Sequence, residues 1–165
     1  MNAKQSAGLA LVVALVGGAC GAGVRAEGRE VVFVCEHGAA KSVLAMTYFN
    51  KLAAERGLDL RAIARGADPQ DQPSATTLAG LTHDGLPASA AAPRPVTAAE
   101  LRGSARVIAF DCGLPAMKAL RAMDACWDDV PTVGSDYAGA RAVVRAHVAA
   151  LLDELATPRG GGAAR

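Results

Sequence analysis

Aromatic side chains are scarce in this chain of 165 residues: one Trp, two Tyr and three Phe, 4% of the whole. Glycine and alanine are abundant instead, a bias of composition that carries no functional message. An excess of one charge is missing as well. Seventeen Lys and Arg against 16 Asp and Glu leave a formal charge of +1. The basic residues are scattered and form no stripe, which argues against nucleic acid or an anionic membrane surface as the partner. No Cys-x-x-Cys or His-x-x-x-His pair occurs among the four cysteines and three histidines, so no metal site is expected. No glycine-rich nucleotide loop follows a predicted strand, no internal repeat is present, and no cofactor is expected. What is there is 52% apolar residues, enough at this length for one globular domain with a core.

A long apolar run is also lacking. Residues 7–16 form an apolar stretch too short to span a bilayer comfortably, preceded by Lys4 and followed by Val24-Arg25-Ala26, with small residues at the −3 and −1 positions. This predicts a signal peptide over residues 1–26 and an exported, periplasmic chain with no stable membrane insertion after cleavage. Two other readings exist. Gly18-Ala19-Cys20 resembles a lipoprotein site, although Gly17 stands where such signals usually carry Leu, and a retained anchor would need a longer run. If the chain is exported, Cys35, Cys112 and Cys126 sit in an oxidising compartment, and an odd count leaves at least one unpaired.

From Glu27 onward, strand and helix patterns alternate through a domain expected over residues 27–157. Residues 31–34 are a continuous apolar run of the kind buried on both faces of a parallel sheet. Residues 42–56 follow with helical spacing and end at Gly57. A second strand is predicted over 58–64, a helix over 74–84 capped by Ser74, and a short helical turn over 97–101 with Thr97 and Glu100 in capping-box spacing. A third strand is predicted over 107–110, a helix over 114–123, a brief strand starting at Cys126 and Trp127, and a long helix over 137–155. The Gly-rich residues 158–165 are expected to form a disordered tail.

Strands alternating with helices imply a parallel sheet, whose chemistry collects at the carboxyl ends of the strands. Cys35 stands at such an end. After it come Glu36, His37, Gly38, Ala39 and Ala40, then Lys41 and Ser42 opening a helix. Small side chains and free backbone N–H groups at a helix start form an anion cradle, and the same positive field favours a thiolate at Cys35. Ser42 could donate a hydrogen bond to that thiolate. Alternatively, Cys35 is a small buried apolar residue. His37 could line the cradle, whereas His83 and His147 are expected on solvated helix faces.

A strand, a Cys, five residues, a basic residue and Ser resemble the signature of the low-molecular-weight protein tyrosine phosphatases and the related thioredoxin-coupled arsenate reductases. The order of Gly66-Ala67-Asp68-Pro69, His83-Asp84-Gly85-Leu86, Pro93-Arg94-Pro95, Val107 to Asp111 and Trp127-Asp128-Asp129-Val130-Pro131 is similar to that family as well. The resemblance implies an α/β three-layer sandwich on a four-stranded parallel sheet of order 2-1-3-4. It also implies hydrolysis of a phosphomonoester, such as phosphotyrosine or a small aryl phosphate, through a cysteinyl-phosphate. Cys35 would be the nucleophile, the 36–42 loop the oxyanion site, and Asp128 or Asp129 the acid. Val130 separates Asp129 from Pro131, where the family has Asp directly before Pro.

Other departures lie in the loop: Lys41 replaces Arg, Gly38 replaces a common Asn, and Ala40 replaces a frequent second Cys. Losing the planar Arg fork weakens grip on a transition-state dianion while keeping the sign of the field, so an oxyanion-binding protein with little turnover is an alternative. With the family's strand order, Cys112 would lie near Cys35 as a redox partner, in the manner of arsenate reductases, or serve only in packing. Cys126, at the start of its strand, would be too far from Cys112 for a disulfide.

Overall fold

The structure, a computed structural model, describes residues 29–118, 120 and 123–157. The expected leader over 1–26, Cys20 and the tail over 158–165 lie outside those residues. Among the described residues nine elements follow in order: β1 (Glu30–Cys35), α1 (Lys41–Glu55), β2 (Arg61–Gly66), α2 (Ala75–His83), α3 (Ala98–Gly103), β3 (Arg106–Ala109), α4 (Pro115–Lys118), β4 (Ala125–Cys126) and α5 (Tyr137–Ala156). The four strands form one parallel sheet in the order β2-β1-β3-β4, as the resemblance implies. Among the described residues no helix is long and apolar enough to cross a membrane.

The apolar run of β1 feeds both faces of the sheet because successive side chains point to opposite sides. Val31, Phe33 and Cys35 join Ile108, α1 and α5 in the larger core; Val32 and Val34 join Ile63, Val107, Ala109 and Met117 on the other side. This alternation gives the three layers. The few aromatic residues are concentrated where they carry most. Phe33 packs edge-on against Phe49 at 5.9 Å and lies 5.5 Å from Trp127, which meets Phe110 edge-on at 5.7 Å.

Local signals explain the element ends. Ser74 Oγ accepts from the Thr77 N–H, and Gly57 follows α1 with a φ of +64°, the left-handed backbone that a helix stop needs. Thr97 and Glu100 form the reciprocal capping box. Arg65 grips Glu100 through Nε and a terminal nitrogen at 2.9 and 2.6 Å, fastening β2 to α3. Burial alone would raise the Glu100 pKa; the Arg65 and Thr97 hydrogen bonds outweigh it and hold the carboxyl below its ordinary value. On the outer side of β2, the Asn50 amide donates to the Ala62 carbonyl at 3.1 Å and accepts the Ala62 N–H at 2.7 Å.

Three expectations change. The second strand starts at Arg61, not residue 58, and extends to Gly66, where Pro95 adds an isolated parallel bridge. The helix expected over 114–123 is described only as Pro115–Lys118. The last strand ends at Cys126 instead of starting there, because it is only two residues long.

The tyrosines both serve Asp84, which follows α2. Its carboxylate accepts from Tyr48 of α1 at 2.6 Å, from Tyr137 of α5 at 2.7 Å and from Arg141 of α5 at 2.5 Å. Burial alone would raise the Asp84 pKa; these three donors overcome it and bring it from 3.8 to about 2. Burial and the Asp84 carboxylate push Tyr48 up to about 12 and raise Tyr137 also. Because the folded pKa lies below the unfolded one, Asp84 contributes its stability in full above about pH 4 and loses it as pH falls toward 2. Asp84→Asn is expected to cost about 1.5–3 kcal/mol at neutral pH, the worth of hydrogen bonds to a charged group. It should also flatten the decline of stability between pH 4 and 2, checked by urea denaturation across that range.

Candidate active site

The site lies at the carboxyl edge of the sheet, where β1 leaves the core. The chain from Glu36 to Ala40 turns back over the edge and enters α1 without any side-chain cap and with no acidic residue in the first turn. Four carbonyls, that of Cys35 and three of this stretch, point toward the segment after β2. Cys35 O accepts from Ala67 N–H at 3.0 Å, Glu36 O from Asp68 at 2.8 Å, His37 O from Gln70 at 3.3 Å and Ala39 O from Ser74 at 3.1 Å. In a planar trans peptide the next N–H points opposite its carbonyl. The N–H groups of Glu36, His37, Gly38 and Ala40 therefore face away from that segment. Among the described residues, no N–H from residue 37 to 43 donates to another protein group. These free donors, added to the α1 N-terminus, form a concave site for an oxyanion.

Two glycines permit this turn. Gly38 has a φ of +65°, and a Cβ there would stand 2.6 Å from the backbone N of Gly66, which supports the loop from below. Glycine adopts this left-handed backbone without penalty. Gly38→Ala combines a strained φ with a backbone overlap that no rotamer relieves. It is expected to cost about 2–4 kcal/mol of stability and to weaken inorganic phosphate binding, measured by chemical denaturation and calorimetry.

Cys35 is a free, buried thiol at the base of the turn. Its Sγ lies 3.1 Å from Ser42 Oγ, a hydroxyl with no solvent exposure. Ser42 is thus placed to donate to a thiolate. Lys41 is 9% exposed, and its Nζ donates to Asp111 Oδ1 at 2.6 Å. Asp111 was not among the residues expected at the site. It follows β3 by one residue, Phe110, whose N–H bonds the Val34 carbonyl, so it stands at the same edge as Cys35, with a φ of +52°. The signal available in sequence was its position at the end of the third apolar run. His37 is half exposed at the rim, its Nδ1 lying 3.2 Å from the Asp68 carbonyl.

The cysteine expectations are overturned. Cys112 forms a disulfide with Cys126, with a Cα separation of 6.3 Å, inside the usual bridging range. Cys126 pairs with Ala109 in register, so it lies at the carboxyl edge, beside the turn that holds Cys112. The expected distance of four strand residues does not exist in a strand of two. Cys112 is therefore the partner of Cys126, not of Cys35. Asp128 Oδ1 accepts the Cys112 N–H at 2.9 Å and lies 3.0 Å from Cys126 Sγ. The sulfurs of Cys112 and Cys126 and an Asp128 oxygen lie within 4.8 Å of one another. The sulfurs are bonded together, so they offer no pair of thiolates to a metal.

The two aspartates expected as acids separate. Asp128 sits with the disulfide beside the β3 end, whereas Asp129 turns toward α5, where both its oxygens meet His147 Nε2 at 2.8–2.9 Å. His147 keeps part of its ring in solvent on the α5 face, as expected. It stacks on Trp127 with ring centroids 4.7 Å apart.

Comparison with known proteins agrees with this geometry. A family model described as low molecular weight phosphotyrosine protein phosphatase matches residues 30–152. A sequence search against curated proteins returns no match. Among solved structures, the chain is similar to YfkJ from Bacillus subtilis, with 19% identity over 80% of this chain and 97% of that one and a TM-score of 0.69. It is similar to low molecular weight phosphotyrosine phosphatase VcLMWPTP-2 from Vibrio cholerae, with 15% identity over 77% and 96% and a TM-score of 0.66. A thioredoxin-dependent arsenate reductase from Corynebacterium glutamicum also matches, with 20% identity over 81% of this chain and 64% of that one and a TM-score of 0.62.

Proposed function

Because the chain belongs to the low molecular weight phosphotyrosine protein phosphatase family, we propose that it hydrolyses a phosphomonoester, phosphotyrosine or a small aryl phosphate, through a cysteinyl-phosphate. The observation that carries this reading is the set of unpartnered N–H groups from residue 37 to 43 beside the Cys35 and Ser42 pair. In the first step the Cys35 thiolate attacks phosphorus, the P–S bond forms, and the bond to the leaving oxygen breaks. The loop N–H groups hold the equatorial oxygens, and Lys41 supplies positive charge. Asp128 is the acid that protonates the leaving oxygen, since His147 occupies the Asp129 carboxylate. Water then attacks phosphorus, the P–S bond breaks, and phosphate leaves.

Export to the periplasm is part of the same reading. It is supported by the leader pattern of residues 1–26 and by the Cys112–Cys126 disulfide, a bond that persists in oxidising compartments. A second reading, oxyanion binding with little turnover, is favoured by the Lys41–Asp111 ion pair, which neutralises the charge that the family's Arg would direct at phosphate. Incubation of the purified protein with p-nitrophenyl phosphate separates the two. Phosphate release with competitive inhibition by inorganic phosphate supports hydrolysis; tight phosphate binding without release supports the second reading and sinks the first.

A further inference from the structure

The Cys112–Cys126 disulfide holds more than two strand ends together. One oxygen of Asp128, the acid of the reaction proposed above, is seated on both halves of the bridge: Oδ1 accepts the Cys112 N–H at 2.9 Å and lies 3.0 Å from Cys126 Sγ. A sulfur in a disulfide carries no proton to donate, so the first contact is the hydrogen bond and the second is packing. Among the described residues Oδ2 has no partner, which leaves it as the oxygen that can carry a proton. The bridge also connects this carboxyl to the cradle. Cys112 follows Asp111, whose carboxylate accepts from Lys41 Nζ at 2.6 Å at the end of the Cys35 loop. From Lys41 to Asp128 the path therefore runs through one ion pair, the Asp111–Cys112 peptide and one hydrogen bond.

The two-residue β4 is anchored to β3 on either side of itself, by the Asp124 N–H on the Val107 carbonyl at 2.8 Å and the Trp127 N–H on the Ala109 carbonyl at 2.9 Å. Neither bond reaches the turn at Asp111 and Cys112. Among the described residues, the hydrogen-bonding and covalent links from that turn to Cys126 and Asp128 are the Cys112 N–H bond and the disulfide. Cys126 is exposed and Cys112 half-buried, within reach of a small dithiol, whereas Cys35 is free and buried. We propose that Cys112 and Cys126 are positioning residues for Asp128, and that reduction of their disulfide slows the acid-dependent step while leaving the phosphate cradle formed. The proposal rests on the phosphatase reading and adds a redox control to it. Reduction takes two electrons and two protons from a dithiol: the S–S bond breaks, both cysteines become thiols, and the dithiol closes to its own disulfide. Full turnover then belongs to an oxidising compartment.

The experiment measures kcat/KM for a phosphotyrosine peptide and for p-nitrophenyl phosphate before and after dithiothreitol, with the new thiols counted by alkylation and mass spectrometry and inorganic phosphate binding followed by calorimetry. Tyrosinate leaves poorly, its phenol having a pKa of about 10, and needs the proton of Asp128. The p-nitrophenolate anion is stable by itself and needs it less. Reduction is expected to lower kcat/KM for the peptide about 10–30-fold, part of the hundredfold or more that a positioned acid contributes, with a several-fold smaller loss for p-nitrophenyl phosphate and no change in phosphate affinity. Cys112→Ser/Cys126→Ser should reproduce this without reductant. In Asp128→Asn, reduction should leave the ratio of the two substrates where it stands, because the bridge acts through that carboxyl. Equal losses for both substrates, weakened phosphate binding, no loss at all, or a ratio that still falls in Asp128→Asn overturns the proposal and leaves the phosphatase reading standing. No hydrolysis of either substrate by the oxidised parent overturns both.

Discussion

Cys35→Ser is expected to lower phosphate release from p-nitrophenyl phosphate by at least about 10⁴-fold, the scale on which removing a covalent nucleophile is felt. A serine hydroxyl placed 3.1 Å from Ser42 Oγ would keep the geometry of the base of the cradle, yet among the described residues no base contacts this position to take its proton. Binding should survive where chemistry does not. The variant is expected to bind inorganic phosphate with affinity close to that of the parent, since the loop N–H groups do not depend on the thiol. Steady-state rates and calorimetry on the same preparation check both halves. Equal rates in parent and variant would show that the thiol does not react.

Lys41→Arg is expected to act in the opposite direction, raising kcat about a hundredfold, or close to 3 kcal/mol of transition-state stabilisation. The side chain at this position is buried against Asp111, which takes one hydrogen bond from the cation at 2.6 Å. A lysine satisfied by that carboxylate offers phosphate a shared point charge. A guanidinium can keep the Asp111 contact with one nitrogen and present others to two phosphate oxygens. A large gain would mean that the loop, Cys35 and the acid are intact and that the cation is what limits turnover. No gain, with phosphate binding unchanged, would place the defect elsewhere in the machinery.

The parts of this molecule that local chemistry dictates could be read from its sequence. The apolar run of residues 31–34 had to be buried on two faces, and Val31 to Val34 are fully buried in the alternating cores. Thr97 and Glu100 were spaced to bond each other at a helix start, and they do. The Cys35 loop followed from a thiol at a strand end before small residues and a helix. What could not be read depends on where the chain stops. Periodicity does not resolve a two-residue strand, so from sequence Cys126 falls at the wrong end of it and out of reach of Cys112. The stacking of the half-exposed His147 on Trp127 joins residues 20 positions apart and has no local signal either. Asp111 has no local signature; its partner is 70 residues away.

Parallel sheets expose two outer strands, and an outer strand with free N–H and C=O groups is a template for another chain. Among the described residues, neither margin offers one. On β2, Asn50 occupies both polar groups of Ala62, and Pro95, which brings no N–H of its own, sits at the far end against Gly66. On the other side β4 is two residues long and leads directly into a covalent cross-link. A second molecule finds no continuous row of hydrogen-bonding groups to extend. The fold is therefore protected from edge-to-edge assembly by one amide, one proline and a strand too short to copy.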